Sequence, residues 1–163
     1  ISEDIEDIRN YPALETAIKK FQPDIVFHLA AQPLVRYSYK NPLETYETNV
    51  MGTANVMNAC RDIENLGSLV VITTDKCYEN KEWIWPYRET DRLGGYDPYS
   101  NSKACTELVV DSFTKSFFAN TKTGVASARA GNVIGGGDWS EDRLLPDIVR
   151  SFLKKEKFLL LRQ

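Results

Sequence analysis

Tyr99 and Lys103 stand four residues apart in "YDPYSNSKA", residues 96–104, directly after Pro98. Four residues of helix turn through about 400°, so the phenol and the ammonium lie almost one above the other on one face. A positive charge held there favours the phenolate and lowers the tyrosine from its usual pKa of about 10 toward working pH. Such a pair makes a general base, although a surface helix also pairs these common residues without any chemistry. A second cluster, "TTDKCY" at 73–78, leaves the Thr74 hydroxyl, the Asp75 carboxylate and the Lys76 ammonium in consecutive positions where an apolar run ends. An acid and a base so close perturb each other's pKa, the usual way a site obtains a proton donor and acceptor near neutrality. The bland reading is a solvated loop. A third stretch, "HLAAQ" at 28–32, is either a tight strand-to-helix turn or a shelf of small residues that lets a flat ligand reach the backbone. His28, the only histidine, lies inside an apolar run and reads as a packed core residue rather than a base.

These residues need elements that bring them to one cleft. The run 24–30, "DIVFHLA", has strand length, turn residues at its ends and no alternation, which suits a parallel strand covered on both faces. "SLVVITT" at 68–74 repeats the pattern, and "GVASARA" at 124–130 is a weaker third strand. Between them the spacing predicts helices over 11–21, over 41–63 with an apolar stripe at Leu43, Tyr46, Val50, Ala54, Met57 and Cys60, and over 98–118. Strands alternating with helices imply right-handed crossovers and a doubly wound parallel α/β sheet of Rossmann type, with helices on both faces. In such sheets ligands sit outside the carboxyl ends of the strands, where 28–32 and 73–78 fall. Beyond them come a glycine-rich loop, "GNVIGGGDW", a helical "RLLPDIVRSFLKK" and the start of another strand, "KFLLLRQ". The boundary is expected at 131/132, with 1–131 a partial nucleotide-binding domain and 132–163 the beginning of a substrate-binding region. The aromatic segment 79–91 is either a lid over the site or a patch in which Trp83 and Trp85 pack on the body.

Composition narrows the class. The chain has 163 residues, 42% hydrophobic and 26% charged, with a formal net charge of −3 and a pI near 5.3. That describes a globular domain without the clustered basic charge of a nucleic-acid binder. No apolar run approaches the roughly 20 residues of a membrane span, so no membrane partner and a cytoplasmic location are expected. Cys60, Cys77 and Cys105 are odd in number and widely spaced, which suggests neither a disulfide framework nor a metal site. The first residues carry no preceding βα unit and the last are apolar, so the chain reads as a piece of a longer protein.

Taken together, "HLAAQ", "NVMGTANVMNAC", "TTDKCY", "YSNSK" and "ARAGNVIGGGDW" resemble, in order and spacing, the extended short-chain dehydrogenase/reductases that act on nucleotide sugars. Within that branch, "TTDKCYENKEWIWPYRETDRLGGYDPYSNSKA" and "GNVIGGGDWSEDRLLPD" are similar to the CDP-glucose 4,6-dehydratases. The resemblance implies a homodimeric lyase with NAD as cofactor and a nucleotide sugar as substrate. C4 of the hexose is oxidised, water leaves across C5 and C6, and hydride returns to C6, giving CDP-4-keto-6-deoxyglucose. It also implies roles: Tyr99 takes the O4 proton, Lys103 tunes Tyr99 and holds the nicotinamide ribose, and Thr74 bonds near O4. Asp75 protonates the departing hydroxyl, and Lys76 helps move the C5 proton. Asp7 and Ile8 match adenine-contacting positions, although Glu6 stands where a glycine is usual. Ala30, Ala31, Gln32 and Asn49 match cofactor-lining ones, and Asn132, Arg143 and Leu144 match positions near the sugar nucleotide. The dimer would form through the helices at 41–63 and 98–118. The family's N-terminal strand and G-x-x-G-x-x-G loop have no counterpart here, so the whole protein is expected to be the enzyme and this piece alone inactive. Another dehydratase or epimerase of the same fold, or a non-catalytic Rossmann-like module, are the competing readings. The Asp75–Lys76 pair speaks against an epimerase, and the complete Thr74, Asp75, Tyr99, Lys103 set against a module.

Overall fold

Three strands run parallel in the order β1 (Ile25–His28), β2 (Ser68–Thr74) and β3 (Gly124–Ala130) in the computed structural model, which describes residues 3–155. Ile25 pairs with Ser68 and Ser68 with Gly124, so the strands start level. β2 and β3 run on past β1 to the Thr74–Ala130 pair. The helices expected at 11–21 and 98–118 form as α1 (Tyr11–Phe21) and α5 (Pro98–Phe113), the latter followed by a π-helical turn, Thr114–Phe118. A short α2 (Val35–Lys40), too brief for periodicity to register, was not foreseen. Leu69 and Val71 of β2 pack with Val56, Met57 and Cys60 and with Val110 of α5, with Val26, Val125, Leu14 and Ile18 alongside.

The Rossmann-like parallel sheet is the class expected, and the reading of 24–30 needs one correction. Among the described residues one face of β1 is left open: Ile25 is 56% and Phe27 62% exposed. The reason is topological. Strands added in one direction through right-handed crossovers put every connecting helix on the same side. Covering the other side requires the strand order to reverse, and β1-β2-β3 does not.

The long helix expected at 41–63 consists of α3 (Pro42–Tyr46), a π-helical turn (Glu47–Met51) and α4 (Gly52–Cys60). Its expected stripe is also corrected at the N-terminal end. Leu43 is 77% exposed and Tyr46, Val50 and Ala54 are half-buried, while Thr45, Asn49 and Thr53 are buried. A π turn carries an extra residue per turn and rotates the face after it. The buried polar residues are bonded: Thr45 Oγ1 accepts from Gln32 Nε2 at 2.9 Å, and Thr53 Oγ1 donates to the Asn49 carbonyl at 2.7 Å. Hydropathy cannot register a face made of threonine and asparagine.

The start of α5 is fixed by local chemistry. Asp97 is its N-cap, accepting from Ser100 N at 2.9 Å and from Ser100 Oγ at 2.6 Å, and Pro98 occupies the first turn. Gly95 packs so tightly beneath this turn that a Cβ there would fall on the Ser100 and Asn101 backbone. Gly95→Ala is therefore expected to cost about 3 kcal/mol, the upper part of the overpacking range. The check is a lower urea midpoint at unchanged m-value.

The chain divides into two compact units, Ile1–Gly131 and Asn132–Gln163. The second contains α6 (Leu144–Lys154), the helix expected there. The strand expected at 157–163 lies outside the described residues. Among the described residues no helix is long and apolar enough to cross a membrane.

Candidate active site

The two clusters, far apart in sequence, meet at the carboxyl end of β2. Lys103 is buried on α5, and its Nζ donates to the Ile72 carbonyl at 3.1 Å. Thr74 is two residues further along the same strand. Tyr99, one turn before Lys103, is buried as well, and its backbone N donates to Ser38 Oγ at 3.1 Å, tying α2 to the start of α5. Burial pushes the Lys103 ammonium down to about 8, against the pull of the Glu107 carboxylate, which favours the charged form. The opening pair is thus not a solvated helix face.

Thr74 ends β2 and caps the 3₁₀ turn Asp75–Cys77. Its Oγ1 accepts from Lys76 N at 3.4 Å and donates to Asp75 Oδ1 at 3.2 Å. Lys76 Nζ pairs with Asp75 Oδ1 at 3.1 Å, both side chains about half exposed. The carboxylate and ammonium expected to share proton transfer therefore leave the sheet as a contact pair.

His28 is the packed residue the sequence suggested. It is buried, with Nε2 3.0 Å from Thr53 Oγ1. Burial, and then the Lys103 charge, push its imidazole down to about 4, whereas an unfolded histidine titrates near 6.5. Between those values the unfolded chain takes up a proton that the folded chain refuses. The stability tied to His28 is whole above pH 6.5, falls as the pH drops and is gone below about 4. A depression of that size corresponds to about 3 kcal/mol. Urea unfolding at pH 7 and 4.5 is expected to show this slope in the native chain and its absence in His28→Gln. Equal pH dependence in the two would contradict it.

On the other side of α5, Asn49 joins the 28–32 turn to the same helix. Its Oδ1 accepts from Gln32 N at 2.8 Å, while Nδ2 donates to the Gln32 carbonyl at 3.1 Å and to Ser102 Oγ at 2.9 Å. Ser102 lies between Tyr99 and Lys103. Ala30 is left exposed and Ala31 half-buried, a shelf of two methyl groups held from below. Ile8 packs against the core and its carbonyl accepts from Asn55 Nδ2 at 2.9 Å, so Asp7 and Ile8 sit on α4 rather than on α5. Arg9 grips Asp7, holding its exposed carboxyl down at about 2. Asn132, Arg143 and Leu144 belong to the second unit, where Leu144 begins α6. In the aromatic segment Tyr78 stacks on Tyr87 at 5.0 Å and Trp83 leans on Tyr87 at 5.5 Å, with Trp83 and Trp85 exposed.

Sequence reasoning missed Glu107. It is one turn beyond Lys103 and 6% exposed, bonded to Thr73 Oγ1, to Ser127 Oγ at 2.9 Å and to Arg129 at 2.8 Å. Arg129 also donates to the Tyr78 hydroxyl and the Glu89 carbonyl, each at 2.9 Å. A cavity of about 280 Å³ lies beside this network, lined by Asp75, Tyr78, Glu89, Ser127 and Arg129. The spacing Tyr99, Lys103, Glu107 was the available signal, since three residues at intervals of four share one helix face.

The profile of the family described as GDP-mannose 4,6 dehydratase matches residues 4–159. CDP-glucose 4,6-dehydratase of Salmonella typhimurium is 55% identical over 161 residues, 96% of this chain and 45% of that protein. The dTDP-D-glucose 4,6-dehydratase of Dictyostelium discoideum is 30% identical, over 88% of this chain and 34% of that protein. A dTDP-glucose 4,6-dehydratase double mutant from Streptomyces venezuelae, solved with NAD bound, superposes with a TM-score of 0.80 at 25% identity, covering 92% of this chain and 44% of that one. The chain spans less than half the length of these relatives. With a Rossmann-like parallel sheet and a profile match running through nearly all of its residues, the chain belongs to the GDP-mannose 4,6 dehydratase family.

Proposed function

We propose that the whole protein is an NAD-dependent CDP-glucose 4,6-dehydratase, a lyase that converts CDP-glucose to CDP-4-keto-6-deoxyglucose. The observation that carries this reading is the Lys103–Ile72 bond, which seats the Tyr99–Lys103 face of α5 on β2 just before Thr74, Asp75 and Lys76. The 55% identity to a CDP-glucose 4,6-dehydratase supports the substrate.

The residues present fit a nicotinamide cofactor. An ammonium carries three donors, and the buried Lys103 gives one of them to Ile72, leaving two for vicinal hydroxyls such as those of a ribose. The open Ala30–Ala31 shelf admits a flat group, and Asp7, Ile8, Gln32 and Asn49 are assigned to the same cofactor. NAD, when bound, supplies the hydride acceptor for C4 and the hydride donor for C6. Tyr99, as the phenolate, accepts the O4 proton as C4 is oxidised, and the Thr74 hydroxyl bonds O4. The new ketone makes the C5 hydrogen acidic. Proton transfer within the 3.1 Å Asp75–Lys76 pair makes Lys76 the neutral amine and Asp75 the carboxylic acid. Lys76 then takes the C5 proton while Asp75 protonates the C6 hydroxyl, which departs as water, and the ion pair is restored. Asn132, Arg143 and Leu144 are assigned to the sugar nucleotide.

The test is incubation of the whole protein with CDP-glucose and, separately, dTDP-glucose, followed by the absorbance of the 4-keto product. Product from dTDP-glucose alone would overturn the nucleotide assignment, and product from neither the reaction. We further propose a cytoplasmic homodimer joined through α3, α4 and α5. The exposure of Leu43 on α3, Met51 in the π-helical turn before α4 and Leu108 on α5 supports the interface.

A further inference from the structure

Three successive residues of β2 receive three different parts of the site. The Ile72 carbonyl accepts from Lys103, the Thr73 hydroxyl donates to Glu107, and Thr74 heads the turn that presents Asp75 and Lys76. Lys103 and Glu107 are four residues apart on α5, so the helix is fastened to the strand at two adjacent points. The second oxygen of Glu107 takes Ser127 and Arg129 from β3, and Arg129 in turn holds Tyr78 and the Glu89 carbonyl in the segment that leaves the Asp75–Lys76 turn. One buried carboxylate thus connects α5, the ends of β2 and β3, and the segment beyond the turn.

We infer that Glu107 is a positioning residue of the active site, locking the end of β2 against α5 so that Thr74, Asp75 and Lys76 stay in register with Tyr99 and Lys103. The inference rests on the dehydratase reading proposed above. A buried carboxylate with three partners also suits a plain structural role, and the two are separable. The titratable and charged groups facing Lys103 and Glu107 are His28 on β1, Arg129 on β3, Cys77 beyond β2, and Tyr99 on their own helix.

Glu107→Gln keeps the size of the side chain and removes its charge. In the whole protein it is expected to lower kcat by about 10²-fold, the cost of small misplacement at a reacting centre, with KM for CDP-glucose little changed. Because the lost carboxylate favours the Lys103 ammonium, the alkaline limb of the hydride-transfer rate moves to lower pH. Glu107→Asp, which retains the charge, returns that limb toward its original pH. Thr73→Val removes a single hydrogen bond and gives a folded protein with a smaller kcat loss, even where Glu107→Gln melts too low to assay. Melting temperatures measured alongside report the folded fraction. Parental kcat and an unmoved limb in Glu107→Gln would overturn the inference. So would kcat losses that track the folded fraction in all three variants with the limb unmoved. A parent inactive on every nucleotide sugar tried would overturn the dehydratase reading and this inference with it, whereas an active parent with indifferent variants would sink the inference alone.

Discussion

Tyr99→Phe in the whole protein is expected to abolish oxidation at C4, so that no reduced nicotinamide accumulates on mixing with CDP-glucose. The substitution deletes one oxygen and keeps the ring, which is buried at the start of α5 beside the Asp97 cap. The fold should survive, as an unchanged far-UV spectrum would report. What is lost is the only group proposed to accept the O4 proton, and Lys103, held on Ile72 and charged below about pH 8, cannot replace it as a base near neutrality. Removing a general base costs typically 10²–10⁴-fold. Here the loss should lie at or beyond the top of that range, because every later step waits on C4 oxidation. The measurement is stopped-flow absorbance at the reduced-nicotinamide band. A Tyr99→Phe protein that reduced NAD at the parental rate would remove Tyr99 from the mechanism.

The sequence carried the parts of this site whose signal is local. Tyr99 and Lys103 share a face because they are four apart, and Asp97–Pro98 marks where that helix begins, so the pair was legible without coordinates. The strand ends at 28–32 and 73–78 were legible from apolar runs that stop at polar residues. Long-range pairings were not. That Lys103 hooks onto Ile72, 31 residues away, follows from how far α5 slides along β2. The spacing puts Glu107 on the Tyr99–Lys103 face, but what holds its carboxylate there, Arg129 on β3, lies 22 residues later. The same blindness misplaced the stripe of 41–63. Asn49 and Thr53 are buried because Gln32, Ser102 and His28 satisfy them, partners that lie 17 to 53 residues away. The exposed Ile25 and Phe27 have a related cause, since an apolar strand run records what the residues suit and strand order decides whether the second face is covered.

Lys76→Met in the whole protein should separate the two halves of the reaction that Tyr99→Phe stops together. Methionine keeps much of the aliphatic stem and deletes the ammonium. The side chain is about half exposed and its ion pair with Asp75, 3.1 Å long, is open to solvent, so little stability is at stake. Tyr99, Lys103 and the Lys103–Ile72 bond are untouched, and hydride transfer from C4 should proceed at nearly the parental rate. The C5 proton then lacks the group proposed to move it, and elimination of water should slow by roughly 10²–10⁴-fold. The reduced-nicotinamide signal, transient in the parent, should rise at the usual rate and persist. In deuterated solvent, label should enter C5 correspondingly slowly. These two readouts distinguish a proton-transfer role from an electrostatic one, because a lysine that merely held Asp75 would leave C5 exchange intact while slowing loss of the C6 hydroxyl. Turnover of CDP-glucose at the parental rate would remove Lys76 from the elimination. Loss of hydride transfer as complete as in Tyr99→Phe would show that Lys76 serves C4 chemistry as well, and the division of labour between Tyr99–Lys103 and Asp75–Lys76 would fall.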